Sequence, residues 1–310
     1  MFNKVYLGNK FVSKIYLGGF PIKYNQDDST AIKEAFVFAG GLDGLFKRFS
    51  VELVEQKSIG SFDGDLTSST ADDRFVYVGT YTGMLYKIDI ITFEIISSFK
   101  PRSGELREMV VSNKGDMYTI LPGEYVIKID KDTMSSIKRY SGGGEAICCD
   151  DKGSVYVAKS RFLDKMDVDL QLIKQMSTKG SSKRKSLAVD NKGYGYLYDG
   201  LKGLVKFNTS TMTEVARLEL ENYDVPILYL DGFVYACDGN KLLKVNENTM
   251  TVASATSTTY GVITSITKDK KGMLYLGTAD GSILKYNPNA MTEVSVTKPY
   301  SSKVQTICSI

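Results

Sequence analysis

The chain contains no histidine and no tryptophan. Without histidine, neither a Ser-His-Asp nor a Cys-His catalytic set can be assembled, and no metal can be held by imidazole. Cysteine is scarce: Cys148, Cys149, Cys237 and Cys308. All four lie in apolar, strand-like runs, where cysteine behaves as a small buried hydrophobe rather than as part of a disulfide framework. No CxxC pair exists, so a structural zinc site is not expected. No apolar run approaches the roughly 20 residues that span a bilayer. The first residues lack the basic, apolar and small-residue pattern of a secretory leader. The expectation is a chain that stays inside a cell or leaves by lysis or within a particle. Charge of one sign is lacking too. The net charge of +3 is spread along the sequence, which argues against the concentrated basic face of a nucleic-acid binder.

What is present is a repeat. The 310 residues are 43% hydrophobic, enough for a large core in one or two domains. From residue 34 onward an aromatic recurs at Phe38, Tyr77, Tyr118, Tyr156, Tyr196, Tyr235 and Tyr275, at intervals of about 40 residues. A lysine follows each one, at Lys47, Lys87, Lys128, Lys165, Lys206, Lys244 and Lys285. Two residues after six of these lysines comes Asp89, Asp130, Asp167, Asn208, Asn246 or Asn287, whose side chain can bond its own backbone and start a turn. Glycine precedes the lysine-bearing strand at Gly44, Gly83, Gly123, Gly203, Gly239 and Gly281, while the fourth copy has Arg161 there. The last full copy divides into four short strands, "VITSIT", "MLYLG", "SILKYN" and "TEVSVT", joined by turn-forming residues.

Four strands at this period predict a β-propeller of seven blades. The first copy supplies only strands two to four, and "VQTICSI" at residues 304–310 is the expected donor of its inner strand. The fold expected is therefore all-β: a seven-bladed propeller at 34–310, closed by its C-terminal strand. A small β-meander at 1–24 and a polar connector at 25–33 precede it. "DGSILKYNPNAMTEV" resembles the third-to-fourth-strand segment of WD-repeat, YVTN-type and PQQ-type propeller blades. The glycine–histidine pair and the tryptophan of WD repeats are absent, as is the sialidase Asp-box. The resemblance therefore implies the fold and no catalytic residues.

Five loops leading from one copy to the next carry an aromatic: Phe62, Tyr140, Tyr223, Tyr260 and Tyr300. Such loops gather on one face of a propeller around its central channel. A ring face there can stack on a sugar, or it can staple neighbouring blades. With Glu145, these residues are the ligand-face candidates, and cell-surface polysaccharide is the partner they suit. Two loops of that face are charged. "KPRSGELRE" holds Arg102, Glu105, Arg107 and Glu108, and "KGSSKRKS" holds Lys179, Lys183, Arg184 and Lys185. Glu145, Asp63, Asp65 and Asp224 are the acids from which a pair for glycosidic cleavage would have to come. Nothing in their spacing pairs them, and no catalytic, cofactor or metal residue is assigned.

The first residues repeat themselves: "KVYLG" at 4–8 and "KIYLG" at 14–18. With "FPIKY", these runs read as a three-stranded meander, too small to be stable alone. Such duplicated units ahead of a separate domain resemble the N-terminal attachment segments of bacteriophage tail and fibre proteins. The resemblance implies a non-enzymatic virion component of a tail, baseplate or fibre. It would be held to other virion structural proteins by Val5, Tyr6, Leu7, Ile15, Tyr16 and Leu17, with no nucleic acid and no membrane insertion. The alternatives are a cytoplasmic propeller scaffold for protein–protein interaction, or an enzyme acting on surface glycans.

Overall fold

The computed structural model describes residues 15–17, 20–22, 35–179 and 186–310. The chain forms two compact units, Met1–Glu34 and Ala35–Ile310. In the first, Ile15–Leu17 pairs antiparallel with Phe20–Ile22, placing Leu17 opposite Phe20. The expected first strand of the meander, with Val5, Tyr6 and Leu7, and the connector 25–33 lie outside the described residues.

The second unit is a seven-bladed β-propeller. Among its described residues every regular element is a strand, and the strands form seven four-stranded antiparallel sheets. Six blades are continuous in sequence. The first is composite: Val304–Ser309 pairs with Phe36–Gly41, which is followed by Phe46–Ser50 and Glu55–Ile59. The C-terminal strand thus completes the first blade and closes the ring.

The core is a series of wedges between neighbouring blades. One cluster joins Tyr156, Leu163 and Met176 of the fourth blade to Leu197, Phe207 and Met212 of the fifth. Another joins Tyr275 and Ile283 of the seventh to Val37, Phe49 and Val304 of the first. The recurring aromatics Phe38 to Tyr275 are all buried, as their role in these wedges requires. Several hydroxyls bond carbonyls of the next blade, as Tyr118 does to Val168 (2.8 Å) and Tyr275 to Val51 (3.0 Å).

The lysines clasp blades together rather than forming a ring of free charge. Lys87 donates to the Lys131 carbonyl, Lys165 to Thr209, Lys206 to Glu247 and Lys244 to Pro288. Each acceptor lies in the turn between the third and outer strands of the following blade. One assignment is corrected in the first blade. The residue opposite Phe38 is Arg48, as Lys87 is opposite Tyr77. Arg48 reaches forward to the Ile90 and Ile91 carbonyls, whereas Lys47 turns back to Pro299 and Glu55.

Those same turns explain the recurring Asx. Asn246 accepts from the amides of Asn248 and Thr249, and Asp89, Asp130, Asp167, Asn208 and Asn287 cap their turns in the same way. The chain then passes through a left-handed residue, Leu53, Phe93, Met134, Leu170, Met212, Met250 or Met291. Each is buried as an apolar plug, and each blade has a bulge between its third and outer strands. Burial of the plug offsets the strain of a positive φ in a non-glycine residue. At the other end of the blades, Gly83 and Gly281 occupy matching positions with φ of 91° and 92°. A Cβ there would lie 2.0 Å from the Arg102 carbonyl oxygen and 2.3 Å from that of Tyr300.

This packing carries a pH signature. Burial, reinforced by nearby Asp72, Asp150, Asp190 and Asp269, raises the phenols of Tyr77, Tyr156, Tyr196 and Tyr275 well above their ordinary value. Burial also raises the Cys149 and Cys308 thiols to about 12. Above the ordinary thiol and phenol values the unfolded chain releases these protons while the folded chain keeps them. The contribution of these groups is therefore full below about pH 8 and is lost progressively as pH rises above about 9. With no histidine, no ordinary side chain titrates between about pH 6 and pH 8. Urea midpoints are expected to be level across that window and to drop beyond about pH 9; a midpoint unchanged at about pH 11 would contradict the assignment.

Candidate functional site

The inner strands surround a central cavity of about 420 Å³, lined by residues from all seven blades. The lining residues are the first residues of each inner strand and the ends of the loops before them. The cavity therefore opens on the face where outer strands lead into the next blade.

Its wall is two-sided. Toward the first four blades it is polar, with Thr67, Ser69, Arg107, Glu145, Gln305 and Thr306. Toward the last three it is largely apolar, with Leu187, Val225, Pro226, Ile227, Val262 and Ile263. Hydroxyls stitch neighbouring blades together along the wall. Thr67 donates to the Leu106 carbonyl at 2.7 Å, and at the matching position of the seventh blade Thr264 donates to Val304 at 2.6 Å. Ser69 and Thr306 share a hydrogen bond of 2.7 Å.

Arg107 is the central cation of this wall. It pairs with Glu145 and, at 2.8 Å, with Glu105. Burial disfavours its charge, but the two carboxylates outweigh that and hold the guanidinium above its ordinary value. Glu108 accepts from the Ile147 amide at 2.7 Å. Three buried polar atoms of lining residues, Arg107 Nε, Ser265 Oγ and Gln305 Oε1, have no hydrogen-bond partner among the described residues.

The six ligand-face candidates separate. Glu145 and Tyr223 line the cavity, and Tyr223 is 48% exposed with the Lys202 ammonium 5.2 Å from its ring centre. Its neighbour Asp224, also in the lining, has a φ of 60°. Phe62 packs edge-on against Tyr86 at 5.0 Å and faces Phe46, stapling the first blade to the second. Tyr300 is only 3% exposed and donates to the Ala39 carbonyl. It closes the seventh blade on the first and is no part of the lining. Tyr140 belongs to the outer strand Ser135–Ser141 rather than to a loop, with Lys159 4.6 Å from its ring. Tyr260 packs partly buried on the cluster of the sixth and seventh blades. Of the loop acids, Asp224 and Glu145 reach the cavity wall, whereas Asp63 and Asp65 are not among its lining residues.

Gln305, Ser265, Thr264 and Thr67 escaped the sequence reading. Their signal was the position just inside each inner strand, where Thr-Ser recurs as "TSS" at 67–69 and "TSI" at 264–266. Among the described residues no group of three or more Cys, Asp or Glu could hold a metal ion. No protein-family model matches the chain, and no curated protein matches it. The fold itself is the firm identification: the chain is a seven-bladed β-propeller closed by its C-terminal strand, with an amphipathic central cavity.

Proposed function

We propose that this chain is a non-enzymatic binding component of a bacteriophage virion, in its tail, baseplate or fibre. Residues 1–24 attach it to other virion structural proteins, and the propeller is the rigid platform that meets the host surface. The observation that carries this reading is the polarity of the ring. The chain enters the ring at Ala35, beside the Ile310 amide that bonds the Phe36 carbonyl, on the face of the turns between first and second strands. The cavity opens on the opposite face. A ring whose chain enters on one face and whose cavity opens on the other leaves the cavity face open for binding. The duplicated "K-[VI]-YLG" units supply the tether, and their β-prone runs suit strand addition to a neighbouring sheet.

Mass spectrometry of particles purified from the source's lysate tests this. The chain is expected at stoichiometric abundance. Removing residues 1–24 is expected to abolish incorporation while leaving the urea midpoint of the ring unchanged. Absence from particles, or incorporation without residues 1–24, overturns the reading; cytosolic partners in a pull-down would favour the scaffold alternative.

A further inference from the structure

We infer that the outer edge of the second blade is an interface with a second copy of this chain, the two strands Ile95–Phe99 pairing antiparallel across a two-fold axis at Ser97. Each outer strand has one strand neighbour and one open edge among the described residues. An open edge offers unpaired amides and carbonyls to any extended chain, and charged side chains along it are a common protection. The third blade's edge carries Lys138 and Arg139 and the fourth's carries Lys174, cations with no acid on the same strand. Two like edges of that kind repel. Acids and bases mix on or beside the first, fifth and seventh edges, but they are already engaged within the ring. Lys47 holds Glu55, Asp199 holds Arg217 and Asp280 holds Lys298. The sixth edge, Val252–Ser257, has no charge but little apolar surface, with small or hydroxyl side chains after its valine.

The second blade differs from all of these. Its outer strand reads Ile-Ile-Ser-Ser-Phe, with Glu94 before it and Lys100 after it. Ile95 and Ile96 are 39% and 54% exposed, and Ile91 in the preceding turn is 54% exposed. Glu94 and Lys100 are exposed too, and neither side chain is in an ion pair or hydrogen bond among the described residues. The stretch Glu94–Lys100 is its own complement. Antiparallel pairing about Ser97 sets Glu94 opposite Lys100 of the second copy, Ile95 opposite Phe99 and Ile96 opposite Ser98. Each pairing occurs twice. Opposite charges and apolar side chains facing across strands both stabilise a sheet, and a second copy supplies the complementary order by symmetry alone. From Ile96 to Lys100 exposure alternates as in a regular strand, with Ser97 and Phe99 partly buried. The bulge at Ile96, which Lys87 and Ile88 leave without an opposite residue, bends the edge and keeps the pairing short. The contact consumes the open edge of both copies, so the assembly closes as a dimer and does not propagate.

Sedimentation velocity of the full chain from about 1 μM to about 300 μM tests this. So short a contact lies at the small end of specific interfaces, so dimer is expected toward the top of that range and is expected to dissociate on dilution. Glu94→Lys and Lys100→Glu each set like charges opposite one another twice in the dimer, and each is expected to weaken it at least about tenfold. The double variant carrying both exchanges restores opposite charges in the same register and is expected to dimerise as the natural chain does. Ile96→Lys is expected to abolish the dimer. These side chains are exposed, so the urea midpoint of the monomer should stay where it is. A chain that remains monomeric at the top of the range overturns the proposal, as does a dimer indifferent to the single exchanges or a double exchange that fails to restore it. A dimer lost only on removal of residues 1–24 overturns it as well, because self-association would then belong to the first unit.

Discussion

A chain ending at Lys303 is expected to lose the cooperative unfolding transition of the full ring. The missing residues form the inner strand of the first blade, in which Ser309, Cys308 and Ile307 stand opposite Val37, Phe38 and Ala39. Their loss would strip one edge of Phe36–Gly41, a strand buried at every position. Val304 and Ile307 are buried between blades, and their burial alone contributes about 3–6 kcal/mol. A whole domain typically has a net stability of about 5–15 kcal/mol. The strand also ties three blades together. It accepts from Thr264 through Val304, bonds Ser69 through Thr306, and donates from Ser309 Oγ to the Lys268 carbonyl at 2.6 Å. Without it the seventh and second blades face an empty sector. Urea unfolding of the truncated chain should show a broad, low-midpoint change in place of a single transition, and limited proteolysis should cut within residues 35–60. A truncated chain with the midpoint and slope of the full protein would show that closure does not hold the ring.

The second large effect is expected at Tyr275. Its ring is fully buried in the wedge between the seventh and first blades. Its hydroxyl is 3.0 Å from both the Val51 carbonyl and Asp269 Oδ2. Asp269 also caps the amides of Lys271 and Met273, so the hydroxyl ties a turn of one blade to a turn of the next. Tyr275→Ala removes the ring and leaves a cavity that the flanking sheets are too constrained to fill, at a cost of about 3–5 kcal/mol. Tyr275→Phe keeps the ring and removes only the hydroxyl, at a cost of about 1–2 kcal/mol. Urea midpoints of the two variants separate packing from hydrogen bonding. Equal losses would mean that the hydroxyl, not the ring, holds the wedge. A loss below about 1 kcal/mol for the alanine variant would show that the wedge repacks.

Arg48 illustrates where a reading of the sequence slips and why. Lysine recurs in the third strand, so Lys47 looks like the first copy's member of the series. The pairing of Phe38 with Arg48 shows otherwise. What the position requires is a long cationic side chain whose stem lies on an aromatic and whose head reaches carbonyls of the next turn. Arg48 meets that requirement, with its guanidinium 4.6 Å from the Phe36 ring centre, much as Lys87 lies 4.1 Å from Phe75. Arginine and lysine both do this, and identity alone could not choose between neighbours.

The loop aromatics teach a related lesson. Tyr300 and Tyr223 stand at similar places in their copies, each in a loop leading to an inner strand. Tyr300 turns into the wedge because Gly41 leaves room for its ring, which a Cβ at that glycine would overlap at 2.4 Å. Tyr223 stays at the rim, and Tyr198 takes the bond to the loop carbonyl of Asn222 instead. Neither outcome is visible in the loop's own residues.

The sequence by itself determined the number of blades, the four strands in each, the turns that Asx residues cap, and closure by residues 304–310. These follow from local preferences and from a period that each copy repeats, and they need no knowledge of what packs on what. Only the tertiary structure decided which loop residues line the cavity, which cation clasps the next blade, and that the cavity opens away from the face where the chain enters at Ala35. Those depend on distances between blades far apart in sequence, where a side chain turns toward whichever neighbour leaves space and an unpaired carbonyl or hydroxyl to meet it.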